Sequence, residues 1–336
     1  MSTPRKRAPR KGPTPVEAAE LTARTDVAPE TTTAGASGGP SSEELDRLAG
    51  GAHHDPHGIL GMHPVDDGVV VRALRPDAEA VAALIGDQRI ELTHLRSGVW
   101  EARVPDSAVT DYRLEVTYHG TAYRADDPYR YLPTLGEVDL HLIGEGRHEE
   151  LWTVLGAHVR RYDSPSGQVT GVSFAVWAPS ARGVRVIGDF NGWDGRSHLL
   201  RALGSSGVWE LFVPDIGAGT HYKLSVLGAD SVWREKADPM ARRTEVPPLT
   251  ASVVDESCYT WDDQAWLDRR AVTAAHAAPM SVYEVHLGSW RAGLSYLELA
   301  EQLTEYVSWL GYTHVELLPV VLDLPVSGWQ GTLSER

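Results

Sequence analysis

Phe174-Ala-Val-Trp-Ala-Pro-Ser-Ala-Arg-Gly-Val-Arg-Val-Ile-Gly-Asp-Phe-Asn-Gly-Trp193 holds a strand pattern, a tight turn and a turn-borne tryptophan in one short stretch. Val184 and Val186 alternate with Arg185 as the two faces of a half-buried strand do, and Asn191-Gly192 supplies a turn able to reach positive φ. The spacing predicts a strand that ends in a loop with Trp193 at its tip. Aromatic rings on sheet edges and loops hold sugars, whose C–H faces stack on an indole while their hydroxyls hydrogen-bond beside it. On pattern alone Trp177 and Trp193 fit a core position equally well, because tryptophan is on average well buried.

The same text occurs earlier in weaker form. Ser97-Gly-Val-Trp-Glu-Ala-Arg-Val-Pro-Asp106 returns as Ser206-Gly-Val-Trp-Glu-Leu-Phe-Val-Pro-Asp215, and other anchors keep their order around it. Leu60-Gly-Met-His63 matches Leu155-Gly-Ala-His158, Ile85-Gly-Asp87 matches Ile187-Gly-Asp189, and Asp127-Pro128 matches Asp238-Pro239. Each unit reads as short alternating strands broken by Gly, Pro, Asp and Asn, which predicts two tandem immunoglobulin-like β-sandwiches in a mainly β chain. After the shared Ile-Gly-Asp, the first copy has Gln88-Arg89 where the second has Phe190-Asn-Gly-Trp193. A glycan-stacking loop therefore belongs to the second copy, and the first is expected to be a spacer or packing domain.

Length and composition bound the rest. The chain has 336 residues, 42% of them hydrophobic, enough for more than one real core. A formal net charge of -15 argues against nucleic acid, whose binding depends on neutralising phosphates. Eleven Trp and twelve Tyr against three Phe suit an uncharged, hydroxyl-rich ligand. The lone Cys258 rules out an intrachain disulfide and favours a reducing compartment. Residues 1–48 open with Arg5, Lys6, Arg7, Arg10 and Lys11, continue in Thr, Ala, Gly, Ser and Pro, and read as a disordered tail. No apolar run follows the basic cluster and none spans a bilayer, so a soluble, cytoplasmic protein is expected, with no membrane partner.

Past Val254 the period changes. Residues 256–280 read as a polar, partly helical connector; Ser281-Val-Tyr-Glu-Val-His-Leu-Gly-Ser-Trp290 then reads as a strand, and Ser295-Tyr-Leu-Glu298 as a capping box. Leu297, Ala300, Leu303, Val307 and Leu310 recur at helical spacing, Gly311 is placed as a C-cap, and His314-Val-Glu-Leu-Leu-Pro-Val320 reads as a second strand. Strand, helix and strand make one βαβ unit with parallel strands, which needs helices on both faces or closure into a barrel.

At these residues a family resemblance emerges. Trp177-Ala-Pro with Gly188-Asp-Phe-Asn-Gly-Trp193, then Tyr222-Lys223 and Asp238-Pro239, resembles the carbohydrate-binding module that precedes the barrel in α-amylase superfamily enzymes acting on branched glucans. Tyr283-Glu-Val-His-Leu-Gly-Ser-Trp290 and Gly311-Tyr-Thr-His-Val-Glu-Leu-Leu-Pro-Val320 resemble the first two barrel strands of bacterial glycogen branching enzymes. The opening His53-His-Asp-Pro-His-Gly-Ile-Leu-Gly61 and the doubled module are similar to the actinobacterial form. The resemblance implies a 1,4-α-glucan branching enzyme, which cuts an α-1,4-glucan and moves the freed segment to a 6-hydroxyl through a retaining, two-carboxylate mechanism. It implies α-glucan as partner, no cofactor and no metal, and a monomer. The family's nucleophile and acid/base lie beyond the end of this chain, so the catalytic set here is none. The fold expected is two sandwiches (49–148 and 149–255) followed at 281–336 by the first βαβ unit of an incomplete (β/α)8 barrel. Ser327-Gly-Trp-Gln-Gly331 departs from the family's run, which suggests a frameshift, a truncated gene or a disrupted copy, inactive alone.

Within that frame Trp193 and Trp233 are expected as stacking rings, Lys223 as a hydrogen-bonding partner, and Trp177 as core. The module also fits a docking role against the barrel, with glycan sites elsewhere. Glu284 and Glu316 tempt as a catalytic pair but sit on strands the family does not use for chemistry, so a structural role is expected. His53, His54, Asp55 and His57 lack a second cluster to complete a metal site, and Pro56 marks a plain loop. A stand-alone glycan-binding protein and another amylase-type enzyme, debranching or trehalose-releasing, are the alternatives. The unfinished barrel speaks against the first, and the doubled module with the Leu287-Gly-Ser-Trp290 strand ending against the second.

Overall fold

The computed structural model describes residues 39–318, apart from 106 and 166. Residues 1–38 of the expected tail and 319–336 of the expected barrel, with the Ser327–Gly331 stretch, lie outside the described residues. The tail boundary at 48 falls inside a helix, α1 (Ser42–Gly50), opened by a capping box between Ser41 and Glu44 and closed by left-handed Gly51. Sequence reading missed this box in a stretch dominated by Ser, Gly and Pro.

Seven strands follow: β1 (Gly61–Val65), β2 (Gly68–Leu74), β3 (Ala80–Ile85), β4 (Gln88–Arg96), β5 (Val99–Pro105), β6 (Arg113–Tyr118) and β7 (Thr121–Ala125). They pair antiparallel in the order β1-β2-β5-β4-β3-β6-β7. β4 pairs with β3 through Gln88–Leu92 and with β5 through Thr93–Arg96, with a register shift between His94 and Arg96. A bulge bends a strand and raises its twist, so one strand turns the corner and serves both layers. Between the layers lie Val69, Val71 and Trp100 from β2 and β5 and Val81, Leu114 and Val116 from β3 and β6.

After α2 (Glu137–Gly144) come β8 (Gly156–Ser164), β9 (Gly167–Trp177), β10 (Gly183–Gly188), β11 (Arg201–Ala202), β12 (Val208–Pro214), β13 (His221–Leu227), β14 (Trp233–Lys236), β15 (Arg243–Thr244) and β16 (Ser252–Val253). One sheet runs β11-β12-β9-β8; the other runs β10-β13-β16-β15, with β14 also on β13. Phe174, Val176, Leu211 and Val213 of the first sheet meet Val184, Val186, Tyr222 and Leu224 of the second. The alternation of Val184 and Val186 with Arg185 is seen as expected, since both valines are fully buried and Arg185 faces out.

The sequence repeat is a repeat of contacts. Trp100 Nε1 donates to the Arg75 carbonyl at 3.2 Å, and Trp209 Nε1 to the Ala178 carbonyl at 3.1 Å. His63 and His158 each donate from Nε2 to the carbonyl three residues earlier at 2.9 Å. Gly98 and Gly207 both have positive φ, and a Cβ on either would come within 2.8 Å of Pro76 or Pro179 respectively. Only glycine meets both demands without strain.

The two sandwiches share apolar ground. A single buried cluster runs from Leu45 and Leu48 of α1 through Leu74, Val99 and Tyr129 into the core around Phe174 and Tyr222. Tyr129 clamps the junction: its hydroxyl accepts from Leu199 N at 2.9 Å and donates to the Ser197 carbonyl at 3.1 Å. Arg201 and Glu210, both buried, form an ion pair at 2.8 Å, with Thr134 Oγ1 donating to Glu210 at 3.0 Å and Arg201 donating to the Tyr131 carbonyl at 3.1 Å.

Beyond α3 (Gln264–Val272), β17 (Val282–Val285) and β18 (His314–Leu317) pair in parallel and are joined through α4 (Leu287–Trp290) and α5 (Tyr296–Leu310). The Ser295–Glu298 capping box and the left-handed Gly311 cap are where the sequence placed them. The ten-residue strand expected at 281–290 is only four residues long, because Leu287–Trp290 turns helical. The stripe of α5 that buries is Leu299, Leu303 and Val307, while Leu297, Ala300 and Leu310 face out. A helix laid on two strands has room to bury only a narrow stripe.

Candidate functional site

The loop after β10 is built by Asn191. Its Oδ1 accepts from Gly188 N at 2.9 Å and its Nδ2 donates to the Val186 carbonyl at 3.0 Å, folding Asp189–Asn191 into a 3-10 turn. Gly192 and then Trp193 itself adopt left-handed φ of 60° and 63°. A bulky residue in that region is uncommon, and it holds the Trp193 ring out from the turn, 40% exposed. Trp193 N donates to the Gly188 carbonyl at 2.9 Å. Asp189 beside it loses some acidity to desolvation, but the backbone and ring of His221 and the Trp193 side chain outweigh this and hold its carboxyl below the ordinary range.

Lys223 lies opposite Ile187 on β13, facing outward between buried Tyr222 and Leu224, and its Nζ is 3.8 Å from Glu235. Trp233 pairs with Leu227, whose other neighbour is Gly183. Trp193 and Trp233 therefore attach at opposite ends of β10, five residues and about 16 Å of strand apart.

Trp233 is already occupied. The Arg185 guanidinium lies 3.6 Å over its ring, and Arg185 Nη2 donates to the Gly50 carbonyl at 3.2 Å. A Cβ at Gly51 would come within 2.9 Å of the Trp233 ring, and one at Gly183 within 2.2 Å of the Gly51 carbonyl oxygen. The turn leaving α1 thus covers this end of the sheet, and burial lowers the Arg185 pKa. Nothing in the pattern around Trp233 reveals a cover that comes from residues 50 and 51, far away in sequence.

Trp177, expected in the core, is instead exposed at the end of β9, 56% accessible, with Nε1 donating to the Ser206 carbonyl at 3.2 Å. The core indole of this module is Trp209. The alternation explains the exchange: Phe174 and Val176 point inward on β9, and Trp177 takes the other face. In the histidine-rich loop, His53 and His54 stack, Asp55 caps a 3-10 turn, and His57 is largely enclosed against Tyr129 with neither ring nitrogen hydrogen-bonded. Among the described residues no group of His, Cys, Asp and Glu is arranged to hold a metal ion. Glu284 and Glu316 pair in register on exposed positions of β17 and β18. No described helix is long and apolar enough to cross a membrane.

A cleft of about 630 Å³ opens between the sandwiches, and sequence reading gave no sign of it. Phe190, Asn191 and Asp194 of the Trp193 loop form part of one wall; Tyr118, Tyr123 and Arg124 of the first sandwich form part of the other.

Comparison with known proteins places this geometry. Residues 41–129 match the family model of the alpha-1,4-glucan branching enzyme GlgB, N-terminal domain, and residues 154–241 match carbohydrate-binding module 48, the isoamylase N-terminal domain. The chain is 63% identical over 293 residues to the 1,4-alpha-glucan branching enzyme GlgB of Frankia casuarinae, covering 86% of this chain and 36% of that protein. It is 62% identical over 290 residues to the GlgB of Thermobifida fusca, covering 86% and 39%. The chain thus spans under two fifths of the length of these curated relatives. A solved pullulanase type I from Bacillus subtilis, complexed with maltose, is similar over 77% of this chain and 37% of its own at 23% identity, with a TM-score of 0.37 that bears on neither fold nor function. With both modules matched in order, the chain matches the N-terminal part of the 1,4-alpha-glucan branching enzymes named GlgB.

Proposed function

We propose that the chain is the glucan-holding part of a branching enzyme, which cuts an α-1,4-glucan and transfers the freed segment to a 6-hydroxyl. The observation that carries this is Trp193, a ring held outward by a left-handed backbone at the tip of a turn that Asn191 pins. An indole so placed offers a flat apolar face to a pyranose ring, and Lys223 on the same sheet offers a donor to its hydroxyls. Trp233 contributes through Arg185 to the sheet's outer cover rather than to sugar.

The βαβ unit of 282–317 is read as the start of the (β/α)8 barrel that carries the chemistry in this family. A retaining mechanism requires two carboxylates flanking the glycosidic bond, and barrel enzymes present them from the C-terminal ends of strands. Glu284 and Glu316 lie within their strands, and we read them as structural. The chain alone is therefore expected to hold glucan without branching it, in the cytoplasm, as a monomer.

Affinity electrophoresis in glycogen gels, beside iodine staining of amylose, tests this. Retardation that Trp193→Ala abolishes, with iodine colour unchanged, is the expected result. Free migration of the native chain removes the glucan-holding role, and a falling iodine colour removes the inactivity.

A further inference from the structure

We propose that the cleft between the sandwiches is a subsite for the same uncharged α-1,4-glucan that meets Trp193, with the first sandwich supplying half of its lining; this placement rests on the glucan-holding role proposed above. The first sandwich is then no spacer but one wall of the binding site.

Continuity is the first reason. The turn that carries Trp193 is the turn that lines the cleft, since Phe190, Asn191 and Asp194 face into it. A glucan chain stacked on Trp193 has this opening beside it.

The opposite wall carries the right chemistry. β6 and β7 pair with Val116 opposite Tyr123 and Tyr118 opposite Thr121, so Tyr118 and Tyr123 are diagonal neighbours on one face. Both line the cleft, and Tyr123, on an edge strand, is 56% exposed. Two rings at that spacing form a platform on which successive pyranose faces can lie.

Polar groups surround the rings in both senses. Arg75 is only 7% exposed, yet its side chain makes a single hydrogen bond among the described residues, from Nη1 to the Leu74 carbonyl at 3.0 Å. No carboxylate lies within ion-pair reach of it among those residues. A buried guanidinium with unspent donors at the wall of a cleft is matched by hydroxyl oxygens. Arg124 and Asp215 line the cleft as well, the first a donor and the second an acceptor, neither ion-paired among the described residues.

The charge balance selects the ligand class. Three arginines and four aspartates line the space, and Arg196 is already shared between Asp77 of the first sandwich and Asp194 of the second. A site for phosphate or another anion would show a surplus of cations; this one suits a neutral polyol. Its volume falls within the range of roughly 300–1,000 Å³ usual for ligand sites.

The test is calorimetric titration of the intact chain with maltoheptaose. Tyr123→Ala is expected to weaken binding roughly fivefold or more, Tyr123→Phe to retain most of it, and Tyr123→Ala combined with Trp193→Ala to be weaker than either. Arg124→Ala, at an exposed position, gives a second reading that does not depend on Tyr123. Loss in Tyr123→Ala with none in Trp193→Ala supports the cleft and moves the glucan path away from the indole. Native affinity in both Tyr123→Ala and Arg124→Ala, with loss in Trp193→Ala, overturns the cleft and leaves the glucan-holding role standing. No heat and no gel retardation for the native chain overturns both.

Discussion

Tyr222 donates its hydroxyl proton to Oδ2 of Asp238 at 2.6 Å within the second sandwich, and both residues are buried. The first sandwich repeats the bond at the same distance between Tyr112 and Asp127. Desolvation raises the pKa of both aspartates and both tyrosines, and each carboxylate also accepts from a backbone amide two residues on, Met240 N for Asp238 and Tyr129 N for Asp127.

Removing one hydroxyl leaves a buried carboxylate short of a partner. Tyr222→Phe and Tyr112→Phe are each expected to cost about 1–3 kcal/mol, and the double variant about the sum, because the two tyrosines belong to separate cores. Urea unfolding of the three variants measures this.

The two candidate tryptophans separate by what they touch. Trp233→Ala removes the ring beneath Arg185 and opens the contact with Gly51, and is expected to cost about 1–2 kcal/mol of stability while leaving glucan affinity intact. Trp193→Ala is expected to do the reverse: affinity falls and the thermal midpoint stays. Melting curves and glycogen-gel mobilities on the same samples decide it.

Acid acts through the histidines. Burial, reinforced by the Arg201 charge, pushes the His57 pKa down to about 2, and burial with Arg75 pushes His198 to about 3. Both fall below the unfolded value near 6.5, so the unfolded chain binds more protons. Their stabilisation is present in full above pH 6.5 and is lost as pH falls toward the folded values. At pH 5 each costs about 2 kcal/mol. The raised pKa values of Asp127 and Asp238 act in the opposite sense, so the histidine contribution is read by difference. His53 and His158, whose pKa values burial also lowers, add to the same loss, and His57→Phe, which keeps the ring against Tyr129, should remove about 2 kcal/mol of it between pH 6.5 and 5.

Glu210 is fully buried and answers to Arg201 and Thr134 together. Glu210→Ala strands the guanidinium and is expected to cost about 3–5 kcal/mol, whereas Arg201→Met with Glu210→Leu recovers part of it. Chemical denaturation of the single and paired variants distinguishes a broken pair from a replaced one.

The doubled architecture was legible because repeats preserve contacts: Trp100 and Trp209, or Gly98 and Gly207, stand at matching places in the text and in space. Single side chains were less legible. Trp177 was misassigned by one step of strand alternation, and the turn cover of Trp233 comes from residues 50 and 51, which no local window contains. The cleft was invisible because its walls belong to opposite halves of the repeat, and a repeat read as two copies says nothing of the space between them.

The bend in β4 has a dynamic consequence. In the second sandwich the layers are joined by main chain over a short stretch, where His198–Leu200 bonds to β10 just before β11 joins β12, whereas in the first a nine-residue strand is hydrogen-bonded into both layers. Its layers cannot part without breaking a ladder, so amide protons on β2 and on β6 should exchange with the same opening free energy, as one cooperative unit. The wall that carries Tyr123 is therefore fastened by main chain rather than resting on a packing surface, which suits it to hold a long, flexible polymer still.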